Sequence, residues 1–596
     1  MILSIILFVV IISLGLGFLV YRLLHLNGDE PVSSLFISMA LGLALFVLLS
    51  SVLGLIGWIN PLVYVAIAVV PVLAYYLMRG LGCEFGIRFE LPKPDKHWWI
   101  VICLFFAALL VFETGAFAGP LLEDDDSWQH AAAVRYVMET GSYLQPAGSD
   151  LIHYLAPYPP FYDVLMAVLA DGGQASINEV LKFFNAFLAA LVIPLFYCWV
   201  GNRLDKNTAL WATFILALLP CFMSHFIWAQ TLAMVFVFPV FYFIDKFNAG
   251  RKPVDGIAGI ICLAALLITQ PSVAGIVFIM ICIYQIPLIL SNTTGALAIP
   301  VLSLMFAFLI FWGGMLYLYG IEGVLQHIGF GSVVAGNGDT SNGIVYGISD
   351  FLTTPFASRM DQPTGIGEAA IILCLIGTYA SLDKRTNRIL LAWLVFCLLG
   401  VEANAFPIKM MPHRFWVFLS IPVAILGGIG ISYILEYKKD TKIVQWLMML
   451  LIISGLLITS GAAKYVVETS IWPSGVGIIS ANQFIGYQQL KQLPVNTKVF
   501  SYCDSEDLMN GIGLYGNSWL VGVADYKRQS INDTLDGNLQ FLHRYNYSYL
   551  VIDDTCVTMF AGADIQNKIS AIESDKHFVK QDNLSNNRFL VYEVTE

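Results

Sequence analysis

Apolar segments long enough to cross a lipid bilayer recur along almost the whole chain. A transmembrane helix needs about 20 mostly apolar residues, and about fourteen such runs can be found here. Only 12% of the residues are charged, whereas a soluble domain typically carries about 25%. The sequence therefore predicts a polytopic α-helical membrane protein. The predicted spans are 2–24, 33–57, 60–79, 97–119, 178–200, 207–223, 228–247, 254–270, 271–291, 296–320, 364–382, 387–403, 413–436 and 442–463.

Lysine and arginine are concentrated in a subset of the connectors between these runs. Such connectors favour the cytoplasmic side of a membrane. Threading the predicted helices places all of them on one face, which we predict to be cytoplasmic. Their basic residues are Arg88, Lys93 and Lys96; Arg203 and Lys206; Lys246, Arg251 and Lys252; Lys384, Arg385 and Arg388; and Lys438, Lys439 and Lys442.

The opposite face then receives the long loops 120–177 and 321–363, the connector 404–412 and the tail from about residue 464.

The first run has no basic start and no small-residue cleavage site, so we expect a retained helix instead of a signal peptide. The net charge of −11 comes without a basic tract, which argues against nucleic acid as a partner.

The tail changes character at about residue 474. Short strand-like runs at 498–502, 519–523, 549–553 and 589–594 alternate with amphipathic stretches at 482–493, 534–545 and 565–574. This alternation predicts a small extracytoplasmic α/β domain over 474–596. Cys503 and Cys556 each follow a predicted strand, and a disulfide between them is one possibility in an oxidising compartment.

The segment with the strongest chemical signal follows the fourth apolar run. Glu123, Asp124, Asp125 and Asp126 are consecutive carboxylates at the end of a hydrophobic helix, and such a cluster repels itself. Asp126 or Asp125 can accept a proton from an attacking group. Alternatively, Asp124, Asp126 and His130 can bind Mg²⁺ or Mn²⁺. A third interpretation is that the acidic residues cap the helix that follows.

A second polar stretch, from His153 to Asp163, follows within the same loop. Tyr158-Pro-Pro is a good helix start, because proline is tolerated in a first turn. The apolar run 161–170 is too short to span a bilayer, and Tyr158 and Tyr162 would lie near the interface, as aromatic belts do. His153 and Tyr158 are candidate substrate-binding residues, with interfacial anchoring as the alternative.

In combination, these motifs resemble the C-superfamily (GT-C) of membrane glycosyltransferases. The shared pattern is an acidic motif after a helix, a helix closing on Gly141, and then Tyr158-Pro-Pro. Asp126-Ser-Trp-Gln-His130 is also similar to the Asp-x-aromatic-aromatic-His stretch of archaeal oligosaccharyltransferase catalytic subunits, with Gln129 in place of the second aromatic. The resemblance covers 97–463 and leaves 1–96 as three additional N-terminal helices with a cytoplasmic connector.

The resemblance implies a GT-C-like fold, a polyprenyl-phosphate-linked sugar as donor, and an acidic residue of the first outer loop as the catalytic or metal-binding group. It would make Asp126 the metal-binding aspartate. The tail has no Trp-Trp-Asp triplet, which oligosaccharyltransferases use to read an acceptor sequon, so the resemblance does not specify asparagine as the acceptor.

A donor with a lipid phosphate requires cations on the outer side, and few are available there. Arg414 begins the thirteenth predicted span and resembles the arginine that meets the donor phosphate in this superfamily. Arginine suits phosphate because it can donate two parallel hydrogen bonds. His413 and Lys409 are its neighbours, and Lys409 can equally well extend to lipid headgroups.

The glycine-rich loop 321–363 is a candidate for closure over a substrate. His327, Asp339 and Asp350 lie within it, and a solvated loop is the simpler interpretation of all three. Glu368 is a better candidate, since a carboxylate at membrane level is costly and often functional.

These observations predict a glycosyltransferase in the plasma membrane of a prokaryote, acting on the outer face on a glycan, lipid or protein acceptor. Two other functions fit the helices. A transporter or flippase would be expected to show repeated halves, which are not apparent. A polysaccharide polymerase or ligase would be expected to depend on arginines more than on carboxylates.

Overall fold

The structure is a computed structural model that describes most of the 596 residues. Outside the described part are residues 18–19, 22–23, 25, 27–29, 81–92, 146–151, 291–294, 296, 328–344, 354–363, 383–387, 407–411, 438–440, 473–477, 479, 504–505, 517–520, 528, 561 and 596. The side chains of 10–11, 14, 71–80, 125, 326–327, 437, 506, 521, 524–525 and 563 also lie outside it.

Helices dominate the first 470 residues. They are α1 (Ile2–Ile6, continued by the π-helical Leu7–Leu16), α2 (Pro31–Leu55), α3 (Pro61–Gly80), α4 (Lys96–Ala116), α5 (Asp125–Thr140), α6 (Phe161–Gly173), α7 (Ile177–Arg203), α8 (Lys206–Leu218), α9 (Ala229–Gly250) and α10 (Pro253–Leu267). They continue with α11 (Pro271–Leu290), α12 (Ala298–Ala307, continued by Phe308–Trp312), α13 (Gly313–His327), α14 (Ile348–Leu352), α15 (Glu368–Ser381), α16 (Arg388–Val401), α17 (Pro412–Tyr437), α18 (Lys442–Leu456, continued by Leu457–Gly461) and α19 (Ala462–Glu468).

Helical residues occupy every predicted span. Within the described part of the chain, eight helices are long and apolar enough to cross a membrane, and four shorter apolar helices accompany them. The chain is therefore a multi-pass membrane protein. The number of about fourteen crossings, inferred from the lengths of the apolar runs, stays a prediction.

Ion pairs join several connectors at one end of the helical body. Lys206 pairs with Glu30 and, at 3.0 Å, with Asp95, and Arg203 lies 3.6 Å from Asp245. The segment before α4, the junction of α7 with α8, and the C-terminal part of α9 are thus neighbours in space. Which side of the membrane this end faces stays a prediction.

Residues after α19 form helices and a small sheet. The elements are α20 (Ala481–Leu490), β1 (Val499–Ser501), α21 (Glu506–Gly511), α22 (Val521–Lys527), α23 (Leu535–Arg544), β2 (Tyr549–Asp553), α24 (Asp554–Met559), α25 (Gly562–Glu573), β3 (Phe578–Lys580) and β4 (Phe589–Val594). The strand order is β1-β2-β4-β3, with β1 and β2 parallel and the other pairs antiparallel.

Three of the four predicted strands are found, and the fourth prediction is wrong where it is described. Val521–Lys527 is helical, and the rest of the predicted strand 519–523 lies outside the described residues. β3 was not predicted from the sequence, because a three-residue strand has too few positions to show alternation. Cys503 and Cys556 form a disulfide with a Cα–Cα distance of 5.1 Å, which links the residues after β1 and β2.

Several hydrogen bonds dock this C-terminal region on the helices near the acidic segment. Tyr515 donates to Glu139 Oε2 on α5 at 2.6 Å, and Asn178 at the start of α7 donates to the carbonyl of Gly511 at 3.1 Å. Lys491 donates to the carbonyl of Pro120 at 2.7 Å. The sheet and its helices therefore lie at the same end of the helical body as residues 120–140.

Helices α15 and α17 pack with their backbones in contact. A Cβ at Gly377 would lie 1.7 Å from the carbonyl oxygen of Leu426, and one at Gly430 would lie 2.2 Å from that of Leu373. Real Cβ atoms do not approach so closely, so only glycine permits this approach. Such small-residue contacts are typical of helix pairs in membranes.

We expect Gly377→Ala to reduce the free energy of unfolding by about 1–3 kcal/mol, because the added methyl group overpacks the α15–α17 contact. The measurement is thermal unfolding of the purified protein in detergent. Gly275→Ala on α11 is the matched control, since a Cβ there would meet no atom within 4 Å. Equal midpoints for the two variants would contradict the described helix contact.

Candidate active site

The acidic segment begins with a helix cap. Asp124 precedes α5, and its side chain accepts a hydrogen bond from the backbone N–H of Ser127 at 2.9 Å. The Ser127 side chain in turn accepts from the backbone N–H of Asp124 at 3.3 Å. This reciprocal arrangement is a capping box, so the capping interpretation applies to Asp124.

Glu123 points to a different partner, a buried histidine in the connector between α8 and α9. Its Oε2 lies 3.0 Å from Nε2 of His225, and Nδ1 of His225 lies 2.9 Å from Oε2 of Glu468 at the end of α19. The backbone N–H of His225 also donates to Glu468 at 3.1 Å. Burial acts to lower the pKa of His225, but Glu123 and Glu468 outweigh it and raise that pKa to about 9.

The connector that carries His225 is held in place by side chains of other helices. Asn185 on α7 donates to the carbonyls of His225 (3.0 Å) and Phe226 (2.8 Å). Lys464 on α19 donates to the carbonyls of Leu219 (3.1 Å) and Phe222 (2.6 Å). His225 is therefore a fixed charge next to the acidic segment.

Asp126 is hydrogen-bonded to residues 152–160, the loop that precedes α6. We call this segment the tyrosine loop because it carries Tyr154 and Tyr158. The hydroxyl of Tyr154 donates to Asp126 Oδ1 at 2.6 Å. The Tyr154 ring stacks on the ring of His130 at a centroid distance of 3.9 Å. His130 is itself paired through Nδ1 with Oδ1 of Asp163 at 2.7 Å, and both side chains are about 1% exposed.

A chain of contacts continues from Tyr154 to Arg414. The Tyr158 ring lies edge-on to Tyr154 at 5.4 Å, and the Tyr158 hydroxyl is hydrogen-bonded to Gln270. Gln270 Oε1 accepts from Ser272 at 2.8 Å, and Ser272 accepts from Nη1 of Arg414 at 2.8 Å. Asp126 and Arg414 thus belong to one cluster.

The pKa of the Tyr158 hydroxyl is influenced by charged groups at both ends of this cluster. Burial raises the pKa of Tyr158 to about 12, while the Arg414 charge acts to lower it and the charges of Asp163 and Asp126 act to raise it. The phenol therefore stays protonated at neutral pH. A positive and a negative group both lie close enough to influence the same hydroxyl.

Three helices begin around Arg414. α17 carries this arginine in its first turn, α11 carries Ser272 as its second residue, and Trp228 precedes α9 with its ring 5.8 Å from the guanidinium carbon. A helix N-terminus has a partial positive charge. Among the described residues, the buried Arg414 Nε and Trp228 Nε1 have no hydrogen-bond acceptor. This region is therefore suited to an anion.

The predicted metal ligands Asp124, Asp126 and His130 are not brought together. Asp124 caps α5, Asp126 accepts from Tyr154, and Nδ1 of His130 faces Asp163. No group of three potential metal ligands was found in the described part of the chain. These residues as they are arranged do not fit the Mg²⁺ or Mn²⁺ site predicted from sequence, and no step below is routed through a metal.

The other predicted site residues have separate positions. His153 is exposed and stacks on Tyr158 at 6.0 Å, and His413 is partly buried beside Arg414. The Asp125 side chain and Lys409 lie outside the described residues. In the loop 321–363, Asp339 also lies outside them, and Asp350 accepts from the backbone N–H of Gly347; Glu368 is exposed at the start of α15.

Sequence reasoning missed several residues of this site. These are Tyr154, Asp163, His225, Gln270, Ser272 and Glu468. Asp163, Gln270 and Glu468 each stand at or beside an apolar run, and a polar residue in such a place is costly unless it is paired. That signal was available, but it does not identify the partner.

Residues 10–437 match a family of unknown function, DUF6541. The chain belongs to this family. The matched range includes the acidic segment, the tyrosine loop and Arg414, and it ends before Glu468 and the sheet. No curated protein matches the chain.

Solved structures similar to the chain include the oligosaccharyltransferase of Archaeoglobus fulgidus. Its apo form has a TM-score of 0.49 at 12% identity and covers 77% of this chain and 70% of its own. The same enzyme, AglB, in complex with an inhibitory peptide and a dolichol-phosphate has a TM-score of 0.49 at 11% identity, with 77% and 69% covered. ArnT from Cupriavidus metallidurans bound to undecaprenyl phosphate has a TM-score of 0.46 at 11% identity, with 84% and 98% covered.

We expect the thermal stability of the protein in detergent to fall between pH 6.5 and about 9.5, and His225→Gln to remove most of this dependence. The pKa of His225 is raised from 6.5 to about 9 on folding. Its stabilising contribution is therefore complete below pH 6.5 and is lost as the pH rises through about 9. A shift of this size corresponds to a contribution on the order of 3 kcal/mol.

His543→Gln is the control for this prediction, because His543 is an exposed histidine of α23. It should leave the pH profile of the thermal midpoint unchanged. If His225→Gln has the same profile as the wild type, the bridge between Glu123 and Glu468 does not form as described.

Proposed function

We propose that the protein is a membrane glycosyltransferase that moves a sugar from a polyprenyl-phosphate-linked donor to an acceptor at the outer face of the membrane. The observation that carries the proposal is the connection of Asp126 to Arg414 through Tyr154, Tyr158, Gln270 and Ser272. This connection brings a carboxylate and a guanidinium, from segments almost 300 residues apart, into one cluster at one end of a multi-pass helical body.

Arg414 is the proposed phosphate-binding residue. Its Nη1 is engaged by Ser272, whereas its buried Nε lacks an acceptor among the described residues. The indole N–H of Trp228 lacks one as well, and the helices α9, α11 and α17 begin beside them. A phosphate oxygen would satisfy these donors and complement the helix N-termini.

Asp126 is the proposed general base. The acceptor hydroxyl or amide attacks the anomeric carbon, its proton passes to Asp126, and the bond from this carbon to the phosphate oxygen breaks. The electron pair leaves with the polyprenyl phosphate, whose added negative charge is stabilised at Arg414. Neither the proton transfer to Asp126 nor the displacement of the polyprenyl phosphate changes an oxidation state.

The position of the C-terminal sheet supports a role in placing the acceptor. Gly511 contacts α7 and lies against Trp128 beside the acidic segment, and Tyr515 contacts the last turn of α5. An acceptor held by this region would approach Asp126 from the side of the sheet. We propose that the donor reaches the cluster sideways from the outer leaflet, so that its lipid chain stays in the bilayer.

We expect Asp126→Asn to lower kcat by about 10²–10⁴-fold, because an amide cannot accept the proton. The assay uses purified protein in nanodiscs, a panel of synthetic undecaprenyl-phosphate monosaccharides and a membrane extract as the acceptor source. Release of undecaprenyl phosphate is measured by mass spectrometry. Asp171→Asn is the control, since Asp171 is exposed at the end of α6; full activity of Asp126→Asn would end the proposal.

We expect Arg414→Lys to lower kcat/KM for the donor by about 10–100-fold, because lysine keeps the charge but loses the planar set of donors that contacts Ser272 and a phosphate. Arg388→Lys, at the start of α16, is the matched control. Arg414→Lys should bind undecaprenyl phosphate more weakly than the wild type in the absence of any acceptor. Unchanged binding and unchanged turnover would place the donor phosphate elsewhere.

A further inference from the structure

Tyr154 is the residue in direct contact with the proposed base. Its hydroxyl donates to Asp126 Oδ1 at 2.6 Å. Burial raises the pKa of Tyr154 well above its ordinary value, and the Asp126 charge adds to this effect. The hydroxyl therefore remains a donor over the whole physiological pH range, and Asp126 is its acceptor.

The plane of the Tyr154 ring is fixed by two neighbouring rings. The His130 ring lies parallel to it, at 3.9 Å with an interplanar angle of 10°. The Tyr158 ring meets it edge-on, at 5.4 Å and 75°. A phenol held between such neighbours can place its hydroxyl in one direction only.

His130 is fixed in turn by a buried carboxylate. Its Nδ1 lies 2.7 Å from Asp163 Oδ1, and both side chains are about 1% exposed. Asp163 sits in the first turn of α6, which packs against α5 and α7. The order of contacts is therefore Asp163, His130, Tyr154 and Asp126, and it runs from the helical core to the proposed site of reaction.

We infer that Tyr154 is a positioning residue for the base Asp126, and that the Asp163–His130 pair sets the orientation of Tyr154. This inference rests on the proposed function. The hydrogen bond occupies Oδ1 of Asp126 and directs Oδ2 to the acceptor.

Other titratable groups act on the same pair. Those with an electrostatic influence on Tyr154 or Tyr158 are Asp126, Asp163 and Arg414, together with the two phenols themselves. Tyr154→Phe leaves all of these charges in place and keeps the stacked ring. It removes only the hydroxyl, so a change in kcat can be assigned to this one hydrogen bond.

The test is the steady-state kinetics of undecaprenyl phosphate release by Tyr154→Phe. We expect kcat to fall about tenfold and the donor KM to stay within about twofold, because the hydroxyl contacts the base and not the donor phosphate. Tyr162→Phe is the matched control, because the Tyr162 hydroxyl donates at 3.1 Å to Asn185 instead of to a carboxylate. Its kcat and KM should match the wild type.

A double-mutant cycle tests the role of the pair behind Tyr154. Asp163→Asn alone should lower kcat, because His130 loses the anion that fixes its ring. Combined with Tyr154→Phe it should add little, since both changes act through the same hydrogen bond. Fully additive effects would show that Asp163 acts by another route and would overturn the second half of the inference.

The activities of two variants separate this inference from the proposed function. If Asp126→Asn is inactive and Tyr154→Phe keeps the wild-type kcat, the inference is overturned while the proposed function stands. If Asp126→Asn keeps full activity, the proposed function itself is disproved.

Discussion

A carboxylate removed from water must find a positive partner or become neutral, and the bridge through His225 meets this requirement for two carboxylates at once. Glu123 belongs to the acidic segment, His225 to the connector after α8, and Glu468 to the last helix before the C-terminal region. One imidazolium therefore ties together three parts of the chain that are far apart in sequence. The position of α5, and with it the geometry around Asp126, depends on this connection.

The bridge also explains how consecutive acidic residues coexist. Glu123 is neutralised by His225, Asp124 caps α5, and Asp126 accepts from Tyr154. Each of these carboxylates has a different partner and points in a different direction. Their mutual repulsion is relieved by the protein itself, and Asp126 is the one whose contacts lead to Arg414.

Much of the helical fold could be predicted from the sequence, because a membrane imposes a simple requirement on length and hydropathy. Lys206 and Asp95, which come from two connectors predicted to share one face, form an ion pair, while the side of the membrane stays a prediction. The tail was harder. Strand and helix differ little in a short run such as 519–523, and packing against neighbouring residues decides between them.

The candidate site could be predicted only in part. The sequence pointed to Asp126 and Arg414, because a carboxylate cluster and an arginine at the end of an apolar run are unusual. It offered helix capping as one interpretation of the acidic residues but did not single out Asp124, because the identity of the cap depends on where α5 begins. Nor could it pair His225 with Glu468, 243 residues away, because contacts at that distance are set by the packing of whole helices.

The close contact of α15 with α17 has a mechanical consequence. Because Gly377 and Gly430 let the two backbones touch, neither helix can slide along the other without a steric clash. Arg414 is in the first turn of α17, so its guanidinium is anchored at a constant depth relative to α15. Under the proposed function, any motion that admits or releases a lipid would then come from the surrounding segments, while the arginine serves as the stationary reference point.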